Sequence, residues 1–108
     1  MDSKTVEEGK TTAIISYITL IGTIIAFIMN NDKKNAFASF HIRQMVGLGL
    51  LSLVNSFVIA SISPMASLVI TVILVVLWLI GFIGVMQGET KTIPVLGESF
   101  QNWFKGIA

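Results

Sequence analysis

The decisive stretch is residues 44–88, QMVGLGLLSLVNSFVIASISPMASLVITVILVVLWLIGFIGVMQG, in which none of the 45 residues is charged. As one helix it would reach about 68 Å. The hydrocarbon core of a bilayer is roughly 30 Å thick, so one helix would overshoot it twofold. The stretch must therefore turn, and Ser61-Ile62-Ser63-Pro64 is where. Pro64 lacks the amide proton a continuing helix needs and pushes Ser63 out of the helical region. Pro also suits the first turn of a new helix, with Ser63 as its cap. The reading is a tight antiparallel hairpin of two spans, residues 44–63 and 65–86.

A second uncharged stretch, residues 11–31, lies upstream. Its core, TAIISYITLIGTIIAFIM (12–29), has the length of a span and ends in Asn30-Asn31-Asp32-Lys33-Lys34. It is too long for the apolar run of a cleaved signal peptide, and the residues before it mix both charge signs. An uncleaved first transmembrane helix is expected. The whole chain of 108 residues is 54% hydrophobic and 12% charged, with a mean hydropathy of +0.84. Soluble domains carry about 25% charge, and small ones have the most surface to cover. The expected class is an all-α membrane protein: three transmembrane helices in one integral domain, with a short interfacial helix at the carboxyl end.

That last element follows from residues 93–107. Ile93, Leu96, Phe100, Trp103, Phe104 and Ile107 recur at the spacing of one helical face, with Glu98, Gln101, Asn102 and Lys105 opposite. The segment is too short and polar to span. A helix over about 93–106 lying in the interface, anchored by Phe100, Trp103 and Phe104, is one reading; packing on the loops of the bundle is the other. Between the first two spans, Asn35 is placed to cap a helix that runs on into span two.

With three spans, Lys4 and Lys10 share a side with the 61–64 turn, whereas Lys33, Lys34, Arg43, Lys91 and Lys105 share the other. The positive-inside bias then puts the carboxyl end in the cytoplasm and the amino end outside.

Small and polar residues mark where helices meet in lipid. Span one carries Thr12, Ser16, Thr19, Thr23, Ala26 and Asn30; span two Gly49, Ser52 and Ser56; span three Ser67, Thr71, Trp78, Gly81, Gly84 and Gly88. The stripes predict an internal bundle, or assembly of copies through one of them. Asn55 lies near mid-span, where an unpaired amide costs several kcal/mol; Ser or Thr hydroxyls of span one are the expected partners.

Catalytic groups, cofactor-binding loops and metal-ligand clusters are all lacking from the pattern: His41 is the one histidine, there is no cysteine, and no Asp or Glu lies in a span. An enzyme is not expected. Nor is nucleic-acid binding, because the net charge of +1 includes no basic patch. The one dense polar cluster is Phe40-His41-Ile42-Arg43-Gln44 at the cytoplasmic edge of span two. It reads either as interfacial anchoring or as a docking or lipid-binding patch of Phe40, His41, Arg43 and Gln44 that includes Lys33 and Lys34.

Four segments together, SYITLIG in span one, FASFHIRQ before span two, GVMQGE closing span three and PVLGESFQNWFK near the end, resemble a family of small bacterial membrane proteins of unknown function. That family is similar to the chloroplast inner-envelope import component Tic-twenty. The resemblance covers about residues 5–106. It implies a helical protein of the bacterial inner membrane and, through the plastid relatives, membership of a protein-import complex. The plastid proteins have four spans, against three counted here. The expected function is a non-enzymatic subunit or scaffold of a membrane complex, with the lipid bilayer and membrane-protein partners or further copies around it. A self-assembling holin-like pore and a lipid-binding, membrane-organising protein are the alternatives.

Overall fold

Thr19 is where the structure departs most from that expectation. The structure is a computed structural model and describes residues 2–106. Residues 12–29 do not form one helix. Helix α1 (Ser3–Ile18) stops at Thr19, whose backbone is extended (φ −154°, ψ 174°), and α2 (Leu20–Lys33) starts directly after it. The Thr19 hydroxyl accepts a hydrogen bond from the Gly22 amide at 3.0 Å, an N-cap in the middle of the apolar run.

The two helices fold back on each other. Ser16 meets Thr23 and Ile15 meets Gly22 next to the turn, and Thr5 meets Asn35 at the far end, so contacts recede from Thr19 in step. Gly22 permits the approach, since a Cβ there would strike the Ile15 carbonyl oxygen. A sharp break leaves the last carbonyls of α1 without partners in the helix. Side chains take up two of them: Thr23 Oγ1 donates to the Ser16 carbonyl at 2.8 Å, and Trp78 Nε1 to that of Tyr17 at 2.8 Å.

At the open end of this hairpin Asn30 shapes the return. Its Nδ2 donates to Ser39 Oγ at 2.8 Å, its Oδ1 accepts from the Asn35 amide at 2.9 Å, and Lys34 between them takes a left-handed conformation. Asn35 caps the next helix through the Ala38 amide at 3.0 Å. Helix α3 (Ala36–Ile62) is continuous through a π-helical turn at Asn55–Ile59. Helix α4 (Pro64–Met86) follows, with Ser63 as its cap and Pro64 in its first turn. A short α5 (Gly97–Trp103) closes the described chain.

α3 and α4 are long and apolar enough to cross a membrane, and only 22% and 17% of their most apolar windows are buried. The α1–α2 hairpin and α5 pack on one half of this pair, the half away from the 61–64 turn. Asn35 lies beside Gly9, Tyr17 beside His41 and Gln44, Leu20 beside Gly49, and Val6 beside Gly88. The molecule measures 46 × 23 × 23 Å. The amino segment and the carboxyl segment thus lie at one pole, not at opposite ends as three spans would require.

The main core sits where α1, α3, α4 and α5 meet, and α2 joins a smaller cluster through Ala26, which packs with Ala38 and Ile42. Ala13 and Tyr17 of α1, Phe37, Met45 and Leu48 of α3, and Leu77 and Val85 of α4 form the main core, joined by Ile93 and Phe100 from the carboxyl segment. Phe100 lies over Gly47, where any side chain would collide with the ring. It is a core residue, not a lipid anchor. The expected amphipathic helix over 93–106 is correspondingly shorter: residues 94–96 turn, and helix begins at Gly97. Ile107 lies outside the described residues.

Replacing Gly47 by Leu should lift α5 off α3 at a cost of about 1–3 kcal/mol, the usual range for overpacking. Hydrogen exchange in detergent should then show amides 97–104 losing protection while the middle of α4 keeps its own.

Candidate functional site

Three side chains that the sequence scatters over two segments converge in the core. Tyr17 is 1% exposed, and His41 and Gln44 are 0% exposed. Their hydrogen bonds form one directed chain. The Glu89 carbonyl can only accept, so His41 Nε2 must carry the proton and donate to it, at 2.8 Å. His41 Nδ1 is then an acceptor, and the Tyr17 hydroxyl donates to it at 2.7 Å. The Tyr17 oxygen accepts from Gln44 Nε2 at 3.1 Å. Gln44 Oε1 accepts from the Ile93 amide at 2.8 Å. Each link fixes the next, and every group is neutral.

The surroundings hold the chain dry. Phe37 and Phe40 meet the His41 ring edge-on at 4.8 and 5.1 Å, and Phe82 meets the Tyr17 ring at 6.1 Å. Phe82 stacks in turn on Trp78. Gly81 gives the Tyr17 hydroxyl room, since a Cβ there would lie 2.8 Å from it. The arrangement ties α1 and α3 to the 88–93 segment. Among the described residues no group of three or more His, Cys, Asp or Glu is placed to hold a metal ion.

The expected docking patch is thereby redrawn. His41 and Gln44 face inward, and the carboxyl segment covers the rest: Gln101 Nε2 donates to the Phe40 carbonyl at 2.8 Å, and Arg43 Nη2 to that of Lys105 at 3.1 Å. The small-residue stripes are also redistributed. Thr12, Ser16, Thr23, Ala26 and Asn30 are all buried, but on two antiparallel helices. Gly49 and Gly81 receive Leu20 and Tyr17 from the hairpin. Gly84 and Gly88 make no close helix crossing: Gly84 faces Lys91, and Gly88, at φ +72°, turns the chain after α4. Trp103 is 68% exposed and Phe104 half-buried, so of the three expected anchors Trp103 alone projects fully.

Above the hairpin tip a second site opens. A cleft of about 340 Å³ lies between α3, α4 and the tip. Thr19, Gly49, Ser52, Asn55, Ser56 and Thr71 give it a polar, small-residue lining among Leu48, Leu74 and Trp78. Asn55 does not reach span one as expected. Its Nδ2 donates to Thr71 Oγ1 at 2.9 Å and to the Ser67 carbonyl at 3.3 Å, both on α4. The hairpin tip stops short of it. Asn55 Oδ1 has no partner, the one such buried side-chain atom among the described residues.

Sequence reasoning singled out His41, Gln44 and Asn55 but missed Tyr17, which joins the first two, and Thr19, which makes the joining feasible. The signal for Tyr17 was its isolation as the sole tyrosine, in an aliphatic run. A buried phenol needs a partner, and the histidine and the glutamine a helical turn beyond it were the groups to ask about.

No protein-family model, curated protein or solved structure matches the chain.

The two polar sites should respond unequally to removal of their polar atoms. Tyr17→Phe leaves His41 Nδ1 and Gln44 Nε2 buried without a partner and should cost about 1–3 kcal/mol. Asn55→Leu removes an unpaired carbonyl along with its amide, and should change stability by less than about 1 kcal/mol. Reversible unfolding in mixed micelles measures both.

Proposed function

We propose that the chain is a non-enzymatic integral membrane scaffold, a subunit that presents one charged face to partner proteins on one side of the bilayer. The carrying observation is the segregation of charge. All seven Lys and Arg and all six Asp and Glu belong to segments at the pole where α1, α2, the 88–96 segment and α5 meet. The opposite pole is the turn Ser61-Ile62-Ser63-Pro64.

Lengths support this placement. From Arg43 to Ile62, α3 rises about 28 Å, close to the roughly 30 Å of hydrocarbon. Leu20, at the hairpin tip, lies level with Gly49, so the hairpin dips only about 9 Å below the level of Arg43. In this arrangement two helices span, and α1–α2 is a re-entrant wedge in one leaflet. Its break is tolerated at that depth because side chains take up the Ser16 and Tyr17 carbonyls. With both termini and every basic residue on one side, the positive-inside bias is unopposed and makes that side cytoplasmic.

The exposed groups on that face include Lys4, Glu7, Glu8, Asp32, Lys33, Lys34, Glu89 and Lys91, four of each sign. That pattern suits a protein surface better than phosphate, which calls for clustered cations. The resemblance to the import-component family supplies the process we attach to this scaffold, namely a part in moving proteins across or into the membrane. A pore of one copy is disfavoured, because two helices enclose no path.

Photoreactive residues at Glu8 and Lys33, irradiated in native membranes, test the proposal. A defined protein partner crosslinked from both sites is expected. Crosslinks confined to lipid or to further copies would sink the scaffold reading in favour of membrane organisation or self-assembly. Single cysteines at Lys4 and Lys105 should both react only from the cytoplasmic side, and one at Ser61 only from the other.

A further inference from the structure

We propose that the cleft above the hairpin tip is a binding site for an uncharged lipid alcohol, a long apolar chain or ring system carrying one hydroxyl donor. The inference rests on the placement of α3 and α4 in the membrane and not on the docking face.

Three observations carry it. The first is the orphan acceptor. Asn55 is 5% exposed, its Nδ2 is committed to α4, and its Oδ1 has no partner. An unpaired polar atom in hydrocarbon is costly, and a hydroxyl donor removes that cost. The second is space. At about 340 Å³ the cleft falls at the small end of ligand pockets. The third is depth. Asn55 stands twelve residues beyond Arg43 on α3, about 18 Å into the hydrocarbon. Charged headgroups do not reach there, and ordinary acyl chains bring no donor. A neutral alcohol satisfies both conditions. The π-helical turn that begins at Asn55 is the kind of helix irregularity that recurs at functional sites.

The lining agrees with such a ligand. Leu48, Leu74, Val75 and Trp78 supply the apolar wall. Ser52 and Ser56 give the α3 wall small polar side chains.

The test uses the full-length protein in phosphatidylcholine vesicles with two probes: a long-chain primary alcohol carrying a mid-chain diazirine, and its methyl ether. They share shape and solubility but differ in the donor. After irradiation, mass spectrometry should place the alcohol on Ser52, Ser56 and Thr71, about two- to tenfold more than the ether, the worth of one net hydrogen bond. Asn55→Leu should bring alcohol labelling down to the ether level and leave the ether unchanged. Ser52→Phe, which fills the cleft without touching Asn55, should lower both. Equal labelling by the two probes, or labelling spread evenly over the lipid-facing Val72 and Val76 of α4, would overturn the proposal. Neither result depends on whether a protein docks at the charged face.

Discussion

Tyr17 cannot be paired unless the first apolar segment folds back. Its hydroxyl both donates to His41 and accepts from Gln44, and those two reach on to the backbone at Glu89 and Ile93. In a low-dielectric core such a chain is worth most when complete, and a missing link leaves expensive unpaired groups. Its completion fixes α1 against α3, and the carboxyl segment against both. The close approach at Gly81, the Trp78 bond to the Tyr17 carbonyl and the seat of Phe100 over Gly47 surround the same point.

The consequence is an unequal distribution of mass. One half of the α3–α4 pair is buttressed by three further helices; the other half is two helices held at Asn55, Ser67 and Thr71 near the turn. The hydrogen-bonded core and the charged pole share the thick half. The cleft lies at the step between the halves. A single device, the turn at Thr19, therefore sets where the charged groups gather and where a concavity remains.

Much of this was legible in the sequence. The neutral run at 44–88 and Pro64 marked α3, α4 and their turn, and Asn35 marked the start of α3. Of the stripe Thr12, Ser16, Thr19, Thr23, Ala26 and Asn30, all but the exposed Thr19 are buried, though on two helices instead of one. What misled was the length of the run 12–29. Hydropathy is blind to a chain reversal inside an apolar segment, because such a reversal is stable only when side chains far away in sequence saturate its carbonyls. Trp78, which caps α1, is 61 residues from Tyr17. Thr19 followed by Gly22 is a helix-start signal, but a weak one amid β-branched apolar residues. The polar cluster at Phe40–Gln44 drew notice for the right residues and the wrong direction: on a helix that packs on both sides, a histidine and a glutamine three apart turn inward to meet a phenol.

The reversal at Thr19 can be measured directly. The chain has no cysteine, so spin labels on Glu8→Cys and Asp32→Cys report one distance without background. Dipolar spectroscopy in lipid nanodiscs should give a separation set by neighbouring helices, about 10 Å between axes plus the label arms. A straight first span would place the same residues about 36 Å apart along its axis, and a distance of that order would contradict the fold and the one-sided distribution of charge that depends on it.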